Sequence, residues 1–187
     1  MPSPNDIKKG TVISREGDLW VVTGFQRVSP GKGSSFVRTK MKSIATGKVK
    51  EENFKSSETL DFVEVSNKQM QYIFGDASGY TFMDARTYEQ VTIGTDVIGD
   101  DAKYLKEGLE ATVVMHEEKP IAIDLPGKVD YTVARTNEVA KGDTAAGMVM
   151  KDAELENGLV VKVPAFIKQG ERVRVNTLTG EYTERVN

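Results

Sequence analysis

Ser29-Pro30-Gly31-Lys32-Gly33-Ser34 is the stretch around which the sequence is organised, because it separates two segments with the pattern of β-strands. Residues 19–25 before it are mostly apolar, and residues 36–42 after it alternate with a period of two. Proline presets φ, and the two glycines permit backbone angles that a Cβ would penalise. The stretch predicts a hairpin whose tip carries one lysine without bulky neighbours, a cation able to enter a narrow space.

The tip has two other interpretations. An ordinary solvated turn remains open, since glycine-rich turns with a lysine are common and Pro126-Gly127-Lys128 repeats the tripeptide in what the sequence predicts to be a linker. A phosphate-binding P-loop is excluded. Its pattern needs glycine where Gln26 stands and Ser or Thr where Gly33 stands.

Length and composition limit the class of protein. A chain of 187 residues fits two or three small domains, and 39% hydrophobic with 28% charged residues fits a well-solvated protein with modest cores. No cysteine is present, which excludes disulfides, thiolate catalysis and Cys-based zinc sites and is compatible with a reducing cytosol. No apolar run approaches the length of a membrane helix, and we expect no signal peptide at Met-Pro-Ser-Pro-Asn-Asp.

The net charge of −3 is unevenly distributed along the chain. Residues 1–64 hold 11 Lys and Arg against 8 Asp and Glu, residues 65–127 hold 5 against 11, and residues 128–187 hold 9 against 9. A slightly basic first segment beside an acidic second one favours contact of the first segment alone with a polyanion.

Strand patterns separated by turn signals divide the chain into three predicted domains, residues 1–65, 66–127 and 128–187. The first has five strand-like runs and no helical pattern, which predicts a small SH3-like (KOW-type) barrel. The second has five runs and a short helical candidate at residues 101–105 with Asp100 or Asp101 as its N-cap, and the third has four; each is predicted to be an OB-fold barrel. Residues 151–156 are too short to assign. The predicted fold is therefore all-β, with three small barrels in a row.

One face of the strand after the tip carries Arg38, Lys40 and Lys42 beside Phe36, because alternate residues of a strand share a face. Three cations in line next to the tip are candidates for RNA-backbone contacts. A solvated barrel face is the alternative, and the sequence does not decide between them.

Nothing in the sequence assembles an active site. His116 is the only histidine and is predicted to be structural, at the end of a strand. The adjacent carboxylates at 51–52, 100–101 and 117–118 would point to opposite faces of a strand, which defeats a shared-proton pair. We expect no catalytic residue, no metal site and no cofactor.

The third segment carries a long motif that, with the tip, resembles the bacterial elongation factor P family. It consists of Lys151, Ala153, Gly158, Leu159, Val161, Val163-Pro164, Phe166-Ile167, Gly170-Glu171, Val173, Val175-Asn176-Thr177, Thr179-Gly180 and Tyr182. Together with Asn5-Asp6 and Gly10, the resemblance extends over the whole chain. Three barrels with a Pro-Gly-Lys-Gly tip on the first are similar to the architecture of that family.

The resemblance implies a translation factor and not an enzyme. It would bind both ribosomal subunits between the P and E sites, beside the peptidyl-tRNA, and relieve stalling at consecutive prolines. Pro30, Gly31, Lys32 and Gly33 would form the functional loop, with Lys32 reaching toward the peptidyl-transferase centre. In many members a lysine-modifying enzyme extends this lysine, so Lys32 is the modification candidate. A cytoplasmic monomer is expected.

A general single-stranded nucleic-acid-binding protein of OB-fold barrels is the competing class. It predicts aromatic residues interleaved with cations on an exposed barrel face, and tight binding to bare oligonucleotide. The acidic second segment counts against it.

Overall fold

The computed structural model describes residues 2–137 and 149–187, and within them the chain is built of strands arranged in three five-stranded antiparallel sheets. This confirms the predicted all-β fold with three small barrels. Each barrel is named here by its order along the chain. The predicted domain limits themselves stay a prediction.

The first barrel pairs its strands in the order β4-β3-β2-β1-β5. Its strands are β1 (Val12–Arg15), β2 (Asp18–Val28), β3 (Phe36–Ser43), β4 (Val49–Lys55) and β5 (Phe62–Val63). Their inward residues form one core that includes Ile7, Val22, Met41 and Phe54, each at most 1% exposed. Short turns at residues 16–17 and 44–48 join β1 to β2 and β3 to β4.

The second barrel pairs its strands in the order β10-β9-β6-β7-β8. They are β6 (Ser66–Asp76), β7 (Gly79–Met83), β8 (Gln90–Ile93), β9 (Glu110–His116) and β10 (Lys119–Asp124). A single helical turn, α1 (Thr95–Ile98), follows β8 and runs into a 3₁₀ helix at Gly99–Tyr104. The predicted helix at 101–105 with Asp100 or Asp101 as its N-cap is therefore wrong in its start and its cap. The helical segment starts at Thr95 with Gly94 as its N-cap, and Gly99, with φ +55°, joins α1 to the 3₁₀ helix.

The third barrel contains β11 (Lys128–Thr136), β12 (Met150–Leu155), β13 (Val160–Pro164), β14 (Arg172–Asn176) and β15 (Tyr182–Val186). Read from β15, its sheet order is β15-β14-β11-β12-β13, which repeats the second barrel's order when each barrel's strands are numbered from its own first strand. The two barrels thus share one topology. Of residues 151–156, which the sequence left unassigned, 151–155 belong to β12, which pairs with both β11 and β13, and residue 156 lies in the turn that follows.

The three barrels are packed against each other through apolar residues. One buried cluster runs continuously from the second barrel into the third, and the Tyr131 hydroxyl donates a hydrogen bond to the Tyr104 carbonyl oxygen at 2.6 Å. A smaller cluster joins the first barrel to the second, with Val12 and Val21 against Val114 and Ala122. These contacts set the orientation of the first barrel, which contains the β2–β3 hairpin, relative to the other two barrels.

Candidate functional site

The β2–β3 hairpin has a bulge between Val22 and Gly24. Its ladder runs from the Trp20–Ser43 pair to the Val28–Phe36 pair. Up to Val22 the strand contributes to the core, but beyond it no residue of β2 is buried. The neighbouring strand β3 stays in the core as far as Val37 and pairs with β4 as far as Phe36, so the turn at residues 29–35 is the part that extends from the barrel into solvent.

The tip of the hairpin is exposed from Ser29 to Ser35. Gly33 has φ +111°, a conformation that side chains with a Cβ rarely adopt, and a Cβ built on Gly31 would meet nothing within 4 Å. At the base of the turn, the Ser35 hydroxyl lies 3.3 Å from the Ser29 hydroxyl and donates to it. Lys32 is thus presented at the end of a slender turn, as the sequence predicts.

The strand after the tip has the predicted two faces. Val37, Thr39 and Met41 are at most 1% exposed and point into the core, so Arg38, Lys40 and Lys42 lie on the opposite face. Their proposed role as RNA contacts stays a prediction.

The three cations have three different environments. Arg38 faces Glu51 of β4 with 3.7 Å between Nε and a carboxylate oxygen. Lys42 donates a hydrogen bond to the backbone carbonyl oxygen of Asp96 in the second barrel. Lys40 is exposed, and among the residues that the structure describes its ammonium has no ion pair. The cations closest to the tip are therefore the ones available to an external partner.

Two further polar residues share this face and were missed from the sequence. Lys55 of β4 pairs with Phe36, and Gln26 of β2 pairs with Arg38. Directly paired residues of antiparallel strands project from the same face of the sheet. Alternation along β3 could not identify Lys55 and Gln26, because they lie on the neighbouring strands and only the strand register places them on this face.

The residues considered for acid–base chemistry are dispersed. Glu51 and Glu52 point to opposite faces of β4, where Glu52 contacts Arg15 at 2.6 Å. Glu117 and Glu118 form the β9–β10 turn with φ of +48° and +62°, next to the half-buried His116. In residues 2–137 and 149–187, no group of three or more His, Asp or Glu side chains could hold a metal ion. No helix in the same ranges is long and apolar enough to cross a membrane.

Comparison with protein families matches all three barrels in order. Residues 3–60 match the elongation factor P KOW-like domain, residues 65–123 match the elongation factor P OB domain, and residues 129–185 match the elongation factor P C-terminal domain.

Relatives match over the full length of the chain. Elongation factor P of Acidothermus cellulolyticus is 42% identical over 187 residues, covering 100% of both chains. Elongation factor P of Coprothermobacter proteolyticus is 42% identical over 186 residues, again covering 100% of both. Among solved structures, translation initiation factor 5A from Methanococcus jannaschii aligns with a TM-score of 0.37 and 17% identity, covering 67% of this chain and 90% of that one.

The three domain matches and the full-length elongation factor P relatives define a translation factor built of a KOW-like barrel and two OB-type barrels. The chain belongs to the elongation factor P family.

Proposed function

We propose that the protein binds the ribosome between the P and E sites beside the peptidyl-tRNA and stimulates peptide-bond formation at consecutive prolines. Family membership supports the assignment to translation, and the hairpin supports the mode of action. The observation that carries the proposal is the tip itself, a single exposed lysine on a glycine-flanked turn that extends beyond the strands of its barrel. In this role the protein acts in the cytoplasm as a monomer.

Orientation is the physical basis of the proposed activity. A peptidyl-prolyl end is conformationally restricted, so the attack of a second prolyl amine is slow. Holding two reacting groups in a productive geometry accelerates a reaction without any chemistry by the factor. An ammonium group on a long flexible stem can hold the acceptor end of a tRNA through its phosphates. Lys32 supplies that group, and no side chain of this protein needs to transfer a proton.

The exposed face of β3 supports a contact with the tRNA next to the tip. Arg38 and Lys40 point outward from it, and Lys55 lies beside them on β4. Cations arranged along a strand match the spacing of a nucleic-acid backbone better than scattered ones, and their contribution is expected to weaken with salt. They would hold the first barrel against RNA while the tip extends beyond it.

Lys32 is also the candidate for post-translational extension by a lysine-modifying enzyme. Its neighbours Gly31 and Gly33 leave space on both sides, and the turn is exposed. The mass of the tryptic peptides of protein purified from its native host tests this. A mass increment mapped to Lys32 supports the modification, and an unmodified Lys32 rejects it while leaving the ribosomal role to the bare lysine.

The experiment that tests the function is the substitution Lys32→Ala, measured as synthesis of a triple-proline reporter in cells lacking the native factor. We expect rescue to be lost while the thermal unfolding midpoint stays equal to that of the unsubstituted protein. Lys128→Ala is the matched control, because it removes the lysine of the second Pro-Gly-Lys tripeptide, and it should rescue fully. Normal reporter synthesis by Lys32→Ala would reject the proposed function.

A further inference from the structure

The groove between the first and second barrels is bridged by two lysines of the first barrel. Lys9 precedes β1, and its ammonium lies 2.6 Å from a carboxylate oxygen of Asp101 in the 3₁₀ helix. Both side chains are only 22% exposed. Lys42, at the end of β3, donates to the Asp96 carbonyl oxygen in α1. Each contact joins two residues that lie in different barrels and are more than 50 positions apart in sequence.

The two contacts give a cationic partner to a backbone carbonyl oxygen and to a carboxylate of the second barrel. Carbonyl groups of a helix as short as α1 have few partners within the helix, and a cation at such a group is favourable. Lys9 faces a second carboxylate as well, that of Asp124 at the end of β10. Burial raises the pKa of Asp124, while the charge of Lys9 lowers it and that of Asp101 raises it. The charge of Lys9 therefore acts on two acids of the second barrel, and Asp101 is the one with which it forms an ion pair.

The backbone of the first barrel lies close to the second barrel in the same place. Gly10 follows Lys9 with φ +86°, and a Cβ built there would lie 2.7 Å from Val114 Cγ2 of β9. The first barrel thus approaches the second to backbone distance, beside the apolar contacts of Val12 and Val21. Packing supplies the adhesion, and the two lysines restrict rotation about it.

We propose that Lys9 and Lys42 are positioning residues, which lock the first barrel onto the second and thereby set the direction in which Lys32 points. The inference rests on the proposed function of the tip. It also separates Lys42 from Arg38 and Lys40, with which it shares a face.

Because the hairpin is long, a small rotation of the first barrel relative to the second displaces the tip by several ångströms. From Lys42 to Phe36 the strand spans six steps, about 20 Å at the usual rise. A rotation of about 10° at the groove would move the start of the tip by roughly 3 Å at that radius. A displacement of about 1 Å in a reacting assembly can lower a rate by about 100-fold.

The test measures barrel orientation and activity on the same full-length variants. The chain has no cysteine, so spin labels at Ser57→Cys and Ala85→Cys, one in each barrel, report the inter-barrel distance by pulsed electron resonance without background. Activity is read as peptide-bond formation on a triple-proline template, separating the rate at saturating factor from the concentration giving half of it.

Charge substitutions distinguish a lock from an RNA contact. Lys9→Glu and Asp101→Lys should each broaden the distance distribution and lower the saturating rate by about tenfold. The double variant restores the pair in reverse and should recover both. If Lys9 acted instead through RNA, Asp101→Lys would add a favourable charge and bind more tightly. Lys68→Glu, which breaks a 3.3 Å pair with Glu89 inside the second barrel, should change neither quantity.

The two neighbouring lysines of β3 complete the test. Lys42→Met should broaden the distribution, whereas Lys40→Met should leave it narrow and raise the concentration needed for half the rate. An unchanged distribution in Lys9→Glu and Lys42→Met would overturn the lock, and so would a broadened distribution with an unchanged saturating rate. Should the unsubstituted protein give no acceleration at all, the proposed function fails, and the distance measurement alone decides the lock.

Discussion

The tripeptide Pro-Gly-Lys occurs twice in this chain, and the two copies are in opposite structural situations. At residues 30–32 it is exposed and lies in the turn that joins the two strands of its own hairpin. At residues 126–128 it is held by the third barrel. There the Thr177 hydroxyl donates to the Pro126 carbonyl oxygen at 2.6 Å, and the Thr177 amide donates to the Gly127 carbonyl oxygen at 3.0 Å.

The difference shows that the surroundings and not the tripeptide determine its use. Lys128 begins β11 and pairs with Asn176, so its backbone is part of a sheet. Lys32 has no such pairing, and the neighbouring Gly33 has a φ that favours glycine. We therefore expect substitutions that remove the contacts holding residues 126–128 to change stability, and substitutions in the tip to change activity.

The largest effect is expected from Tyr131→Ala, three residues after the second copy. Tyr131 is fully buried in the cluster that joins the second and third barrels, so its truncation should lower the free energy of unfolding by about 3–5 kcal/mol. Tyr131→Phe removes only the hydrogen bond to Tyr104 and should cost about 1 kcal/mol.

Urea unfolding followed by circular dichroism measures the effect of Tyr131→Ala on the whole chain. Trp20, the only tryptophan, reports the first barrel, whose core is a separate cluster. We expect the tryptophan transition to move less than the circular dichroism transition. At a temperature where the variant is folded, the triple-proline activity should remain. A loss of activity in the folded variant would contradict the separation of the two copies.

Gly33→Val, in contrast to Tyr131→Ala, should lower activity and leave stability nearly unchanged. A β-branched residue is strained at φ +111°, so the turn must rearrange and misdirect Lys32. We expect the triple-proline rate to fall by about tenfold, since small misplacements lower rates strongly. The turn is exposed, so the free energy of unfolding should change by less than about 1 kcal/mol.

Gly127→Val is the counterpart of Gly33→Val. Gly127 does not have positive φ, and a Cβ there meets nothing within 4 Å. This variant should keep both activity and stability. Equal loss of activity in the two variants would show that the tip geometry is not what distinguishes the copies.

The local parts of this comparison were predictable from sequence, and the long-range parts were not. Alternation identified the faces of β3, and Gly31 and Gly33 identified the turn, because these signals depend on neighbouring residues. Strand β12 was not recognised, since only Ala153 and Leu155 of its six residues are buried and its pairing comes from strands on both sides. The hydrogen bond between Lys42 and Asp96 spans 54 positions, and no periodicity encodes it.

Thr177→Val tests the hydrogen bond that holds the second copy. Loss of the hydroxyl leaves the Pro126 carbonyl oxygen without that donor and should lower the free energy of unfolding by about 1 kcal/mol. Thr183→Val, at an exposed position of β15, is the matched control and should be neutral. Hydrogen exchange of β11 and β14 amides localises the loss, and activity should be unchanged in both variants.

The smallest effect is expected from Asp130→Asn, as a change in pH dependence. Asp130 lies two residues after the second copy, and hydrogen bonds from the Arg174 side chain at 2.7 and 3.1 Å lower the pKa of its carboxyl group. A carboxyl group whose pKa is lower in the folded state stabilises the fold above its unfolded pKa of about 3.9. That contribution is lost as pH falls through the folded pKa.

Between about pH 5 and pH 3 the unsubstituted protein should therefore lose stability more steeply than Asp130→Asn, which has no proton to take up. Urea unfolding at a series of pH values measures the two slopes. Asp152→Asn is a suitable control, because Asp152 pairs with Lys162 at 2.8 Å but its side chain is 61% exposed, where a salt bridge contributes little. Parallel slopes for Asp130→Asn and the unsubstituted protein would mean that Arg174 holds the backbone after the linker by packing and not by charge. The tripeptide at 126–128 would then owe its fixed position to Thr177 and the strand pairing alone.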